Sequence, residues 1–244
     1  MTVRWQRWSA TDIGSRRALN EDALVLRDED GLWAVIDGLG GIDAGNVASA
    51  ALAHALDHLQ LAPALADAAD QLEDVILAVH EQLHEFASQL QPVRTIGCTV
   101  AVLRLTQTWG LLAWVGDVRL YRWRDGRLDL LSEDHVGEAR GAEVPAGAGA
   151  DDLTRLVGAD EPLPDMALLQ VRHGDRYLLC SDGLHAEVGE RRLAHWLARD
   201  PQQAQRELVA EALAAGGRDN LSFILLETDV TAPVAQPEQE SGHA

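Results

Sequence analysis

The stretch VIDGLGGIDAG, Val35 to Gly45, decides how this sequence is read. A short apolar run ends in Asp37, three glycines (Gly38, Gly40, Gly41) fall within four positions, and a helix-like segment follows. Such a strand, turn and helix can cradle a phosphate on backbone N–H groups, or it can present Asp37 to a metal ion. Upstream, LVLRDEDGLWAVID (residues 24–37) predicts a β-hairpin turning at Asp30-Gly31. Downstream the period changes. Val47, Leu52, Ala55, Leu56 and Leu59 recur at helical spacing and predict a helix over 46–61. A second helix is expected over 65–90, with Leu72, Val75, Ile76, Val79, Leu83 and Phe86 on one face. Two consecutive helices should pair and cover a sheet.

From residue 97 to 131 the pattern is β again, in TVAVLRL, LLAWVG, VRLYRW and LDLL, the last two joined at Asp125-Gly126. With no helix between them, these strands are expected to form an antiparallel meander. Residues 135–152, rich in Gly, Ala and Glu, read as a surface loop or flap. RYLLCSD (176–182) is a strand, helices are expected near 191–198 and 201–215, and a last strand over 221–227. Residues 230–244 are polar and Pro-containing and read as a disordered tail behind a single domain of residues 1–229. There is no internal repeat. Strands in runs and helices in pairs predict an α+β fold with helices outside two packed antiparallel sheets.

The chain has 244 residues, enough for a sizeable core. Its 20 Lys and Arg against 39 Asp and Glu give a net charge of −19, which opposes nucleic acid and anionic membrane surfaces as partners. Cys98 and Cys180 lie far apart in apolar runs, so neither a disulfide framework nor a zinc knuckle is indicated, and a reducing cytoplasm is the expected location. The start, MTVRWQRWSATD, lacks an apolar signal region, and no run approaches the roughly 18 apolar residues of a membrane span.

The chemical signal lies in where the acidic residues fall. Asp37, Asp117 and Asp182 each follow a strand pattern, Asp219 stands just before the last strand, and Glu21 and Asp22 precede the first hairpin. Any one of them reads equally well as a turn residue. Together, beside so many strand ends, they can converge on one rim, where hard oxygen donors suit Mg²⁺ or Mn²⁺.

These stretches resemble the type 2C metal-dependent serine/threonine protein phosphatases, the PPM family, in their compact bacterial form. The resemblance is carried by DIGSRRALNEDA (12–23), VIDGLGG (35–41), GCT (97–99), VGDVRLYRWRDGRLDLLSEDH (115–135), LTRLVG (153–158), LLCSDGL (178–184) and GGRDNLSFILL (216–226). It implies a four-layer α-β-β-α sandwich, two antiparallel sheets flanked by helix pairs. It implies two ions, Mn²⁺ or Mg²⁺, bridged by Asp37, with the Gly38 carbonyl contributing. Asp182 and Asp219 would complete one shell, and Glu21 and Asp22 would hold the second ion. Asp117, with Asp182, would serve a weaker third site, and Arg17 would grip the substrate phosphate. In such a site a hydroxide bridging ions about 3.5–4 Å apart attacks phosphorus in line and releases phosphate from phosphoserine or phosphothreonine of a partner protein. The resemblance further implies bacterial signalling opposite a cognate Ser/Thr kinase; some small members serve secretion systems such as type VI. The competing reading is a catalytically silent phosphoprotein-binding adaptor of the same fold.

The sequence departs from the family pattern at two positions near the acidic residues. Leu39 stands where many members carry a histidine proposed as general acid, which leaves metal-bound water, His135 or His185 as proton sources. Val118 replaces a small polar residue beside Asp117. Three other patterns are decoys. His80, Glu81 and His84 match H-E-x-x-H, but on the expected helix the two histidines fall away from the apolar stripe, onto a solvated flank. His54 and His58 read as an exposed pair. The glycines after Asp37 miss a dinucleotide fingerprint because residue 43 is Asp.

Overall fold

The computed structural model describes residues 2–39, 44–90, 95–137, 153–159 and 161–231. Gly40, Gly41 and Asp43, most of the expected flap and the tail from 232 lie outside the described residues. In chain order come β1 (Thr2–Asp12), β2 (Ala23–Arg27), β3 (Leu32–Leu39), α1 (Gly45–His58), α2 (Leu65–Ser88), β4 (Gly97–Leu105), β5 (Trp109–Val115), β6 (Arg119–Arg124) and β7 (Arg127–Leu130). Then follow β8 (Asp165–Gln170), β9 (Arg176–Cys180), α3 (Asp182–Val188), α4 (Glu190–Leu197), α5 (Pro201–Ala215) and β10 (Leu221–Thr231).

The strands make two antiparallel five-stranded sheets, ordered β1-β10-β9-β6-β7 and β2-β3-β4-β5-β8. Side-chain alternation divides each strand between two cores. In β4, Val100 and Val102 face α1 and α2, whereas Ala101, Leu103 and Leu105 enter the layer between the sheets. In β10, Ile224 and Leu226 face that same middle layer, and Phe223 and Leu225 pack under α3, α4 and α5. Three stacked apolar layers therefore hold four layers of secondary structure, as expected, although one helical layer has three members because α3 joins the α4–α5 pair. Both cysteines are buried and free. No described helix is long and apolar enough to cross a membrane.

Several expectations are corrected. The strands from 97 to 131 do not form one meander: β4 pairs with β5, but β6 pairs with β7 and β9 in the other sheet. The chain changes sheet between Val115 and Arg119, at Gly116, whose φ is +95° and where an added Cβ would lie 2.2 Å from Thr99 Cγ2. Adjacent strand patterns show that strands follow one another, not that they pair. Val47 and Phe86, placed by periodicity on apolar faces, are exposed at 40% and 45%; Ala48, Ser49 and Ala87 take the inward positions beside them. The last strand runs beyond Glu227 to Thr231, pairing along its length with β1, a strand the sequence reading left unassigned. β8 and α3 were likewise unassigned.

The sheet change makes a direct test. Gly116→Ala adds a methyl group against Thr99 in a backbone conformation that L-residues resist. Urea unfolding should show a loss of about 3 kcal/mol, with far-UV circular dichroism unchanged.

Candidate metal centre

Each acidic residue sits where a strand meets a bend, all at one rim of the sandwich. Asp22 immediately precedes β2, Asp37 lies near the end of β3 opposite Thr99, Asp117 occupies the crossover between sheets, Asp182 opens α3 two residues after the end of β9, and Asp219 lies two residues before the start of β10. Both sheets thus supply carboxylates to one place. All five aspartates are half-buried, the exposure of a cleft wall.

Their proximity shows in their acidity. Burial, followed by repulsion from Asp22, Asp182, Asp117 and Asp219, holds the Asp37 carboxyl well above the carboxylate range. Burial first, then hydrogen bonds from Ser222 and Ser181 that oppose it, and repulsion from Asp182 and Asp219 that adds to it, leave Asp22 pushed up to about 7. Burial and Asp182 push Asp117 up to about 7, and burial with Asp219 raises Asp182 to about 6. Five carboxylates therefore crowd one field. The cation beside them is Arg17, which pairs with Asp219.

Small residues permit the crowding. A Cβ on Gly38 would stand 2.3 Å from the Gly45 carbonyl oxygen and 2.6 Å from that of Glu21, so the end of β3, the start of α1 and the Glu21 segment touch through backbone. Helix α1 lacks a side-chain cap of its own, and Glu21 Oε1 instead accepts from Gly45 N at 3.0 Å.

Several polar side chains brace these segments. Asn220 Oδ1 accepts from Glu21 N at 2.9 Å, while its Nδ2 donates to the carbonyls of Ile13 at 2.9 Å and Leu19 at 3.0 Å. This buried amide ties the loop carrying Arg17 and Glu21 to the strand that follows Asp219. Ser181 Oγ donates to Asp22 Oδ2 at 3.1 Å and accepts from Ser222 N at 3.0 Å, linking the two sheets. Sequence reading missed Ser181 and Asn220, because Ser-Asp and Asp-Asn read as turn residues.

The candidate proton donors are structural. His185, held neutral by burial at about 4, has Nε2 3.2 Å from the Asp117 carbonyl, which joins α3 to the crossover. His135 is buried, accepts from Gly116 N at 3.0 Å through Nδ1, and turns Nε2 toward Asp165 at 3.3 Å. Val118, the other departure, is buried in the layer between the sheets. Of the decoy histidines, His54, His58 and His84 are exposed. His80 departs from the solvated flank expected of it: it is half-buried and accepts from Gly158 N at 3.0 Å, because the 153–159 segment packs over α2.

The donor set fits a hard divalent cation. Asp22 Oδ1 and Asp182 Oδ1 are buried without a hydrogen-bond partner, and oxygen ligands on crowded carboxylates are what Mg²⁺ and Mn²⁺ take. Among the described residues no three acidic, imidazole or thiol groups already close into a ligand cage; these carboxylates share a field, not a preformed coordination sphere.

Residues 14–215 match the family model for protein phosphatase 2C, and the chain belongs to that family. A solved structure of PppA, a key regulatory component of T6SS in Pseudomonas aeruginosa, is similar with a TM-score of 0.85 and 32% identity over 93% of this chain and 100% of that one. The catalytic domain of the serine/threonine protein phosphatase PstP, solved in complex with two manganese ions, is similar with a TM-score of 0.82 and 28% identity over 93% of this chain and all of that one. Full-length PstP of Mycobacterium tuberculosis is 29% identical over 227 residues, and the match spans 89% of this chain but 44% of the relative. The serine/threonine phosphatase stp of Listeria monocytogenes is 27% identical over 239 residues, 91% of this chain and 95% of the relative.

The raised carboxyls make metal-free stability depend on pH. A carboxyl whose folded pKa lies near 7, against 3.8 for the ordinary group, destabilises the fold fully above the higher value and not at all below the lower one. Metal-stripped protein should therefore gain urea resistance as the pH falls from about 8 to about 5. Asp22→Asn should remove part of that dependence and stabilise the stripped protein near pH 8 by on the order of 1 kcal/mol.

Proposed function

We propose that this chain is a divalent-metal-dependent phosphoprotein phosphatase that hydrolyses phosphoserine and phosphothreonine. The observation that carries the reading is the crowd of half-buried, mutually repelling carboxylates contributed by both sheets, with one arginine at its edge. Asp37 would bridge two ions, Mn²⁺ or Mg²⁺, with the Gly38 carbonyl contributing; Asp182 and Asp219 would complete one shell, Glu21 and Asp22 would hold the second ion, and Asp117 and Asp182 would offer a weaker third site. When bound, such ions lower the pKa of a water for attack on phosphorus and offset charge on the phosphoryl oxygens.

The chain's own groups have separate tasks. Arg17 is about half exposed and spends one terminal nitrogen on Asp219, so the rest of its planar fork is available to a phosphate at the rim. Asn220 keeps that loop in place. Leu39 cannot donate a proton, and each of the two nearby histidines already has a ring nitrogen engaged with the backbone of the Asp117 turn. The leaving alkoxide would take its proton from solvent at the half-open rim.

Family membership and likeness to bacterial serine/threonine phosphatases support a single catalytic domain over residues 1–229, a cytoplasmic setting and a cognate Ser/Thr kinase. Likeness to PppA supports a role in type VI secretion signalling.

Phosphate release from a phosphothreonine peptide tests the reading. Stripped protein should be inactive, Mn²⁺ or Mg²⁺ should restore release, and Asp37→Asn or Asp182→Asn should lower kcat by at least about hundredfold. Arg17→Ala should act chiefly on KM. Folded, metal-loaded protein that releases nothing from any phosphopeptide would make the chain an adaptor.

A further inference from the structure

The loop that carries Arg17 presents more than an arginine. Its neck is closed twice: Asn20 Nδ2 donates to Thr11 Oγ1 at 2.7 Å, and the single Nδ2 of Asn220 donates to the carbonyls of both Ile13 and Leu19, at 2.9 and 3.0 Å. Two oxygens that share one nitrogen lie no more than about 6 Å apart, so residues 13 and 19 are neighbours across the neck. The loop also rests on the segment before β10. Ser15 N donates to the Gly217 carbonyl at 2.7 Å, and Gly14, at φ +76°, leaves no room for a Cβ beside the Asp219 carbonyl. Residues 11–20 therefore form a compact loop held in one shape, with Arg17 paired to Asp219.

Two large apolar side chains stand open on this loop: Ile13 is 39% exposed and Leu19 38%. A single exposed apolar residue is ordinary on a protein surface. These two are joined through Asn220 at the neck of the loop whose arginine reaches for phosphate. Leu19 lies two residues from Arg17, a span of at most about 7 Å. A phosphorylated side chain held by the free nitrogens of Arg17 brings its own neighbours within the same distance, because successive residues of a bound extended segment are about 3.3 Å apart.

We propose that Ile13 and Leu19 determine which phosphoproteins this site prefers, an inference that rests on the phosphatase reading above. They form an apolar ledge that receives a large aliphatic side chain within two positions of the phosphorylated serine or threonine. The ledge leaves water only when such a substrate is bound, and the loop, already held by Asn220 and Gly14, needs no ordering to receive it. The rival contact is Arg16, exposed on the same loop, which would favour an acidic neighbour instead. The crowded carboxylates of the rim oppose that choice.

The test is a set of phosphothreonine peptides carrying leucine, aspartate or glycine at one position at a time, from two residues before the phosphothreonine to two after it, assayed with the whole protein and Mn²⁺. At one position at least, kcat/KM for the leucine peptide should exceed that for its glycine counterpart about tenfold. In Ile13→Ser and in Leu19→Ser that ratio should fall to about twofold or less. A ratio is insensitive to any fraction of a variant that fails to fold. Native protein that treats leucine and glycine alike, that prefers aspartate to leucine, or whose preference survives both substitutions overturns the proposal. The ester p-nitrophenyl phosphate, which has no flanking residues, separates that failure from failure of the phosphatase reading. Native, Mn²⁺-loaded protein that leaves both this ester and every peptide intact removes the reading, and the proposal falls with it.

Discussion

Repulsion among carboxylates is the constraint to which the rest of this structure answers. Asp22 and Asp37 come from one sheet, Asp182 and Asp219 from the other, and Asp117 from the short turn between β5 and β6 that joins them. Left in water, these groups would separate. Here the apolar layer between the sheets forces their backbones together, and hydrogen bonds made by Ser181, Asn220 and the two histidines, as donors or acceptors, fix the segments that bear them. Folding energy from three apolar cores is spent on concentrating negative charge, and that concentration gives the rim its appetite for hard cations.

The two departures from the family pattern take on different weights once the structure is in view. Leu39 offers no proton, and among the described residues the two histidines beside the Asp117 turn each have a ring nitrogen engaged with its backbone. Val118 changes packing: it points into the layer between sheets, away from Asp117, so a polar residue there would be buried rather than presented to a ligand. Asp117 takes its orientation from Gly116 on one side and from the His185 contact to its own carbonyl on the other.

Much of this was legible in the sequence, for reasons that can be named. The β2–β3 hairpin, α1, α2, α4 and α5 were readable because alternation or helical period ran for many residues and ended at turn-forming pairs. The acidic rim was readable as a set of strand-end positions, and its assignment to metal came through resemblance. What stayed hidden depends on tertiary context. β1 alternates Trp with Arg and Gln and gains its identity only by pairing with β10, more than two hundred residues away. β8 is short and half-covered, so its pattern is weak, and α3 starts inside a Ser-Asp-Gly triplet that reads as a turn. The sheet change at Gly116 has no local signature beyond a glycine. Asn220 and Ser181 work through bonds to residues remote in sequence.

The pairing of β1 with β10 has a consequence for the order in which the protein becomes competent. Residues 2–12 form an edge strand against residues 221–231, and Asp219 lies just ahead of that late strand. On the ribosome, the hairpin bearing Asp37, the α1–α2 pair and β4–β5 can all assemble while β1 still waits without its partner. The acidic rim closes only after Asp219 and the strand behind it have emerged. In a nascent chain the set of rim carboxylates therefore stays incomplete until that late strand is released.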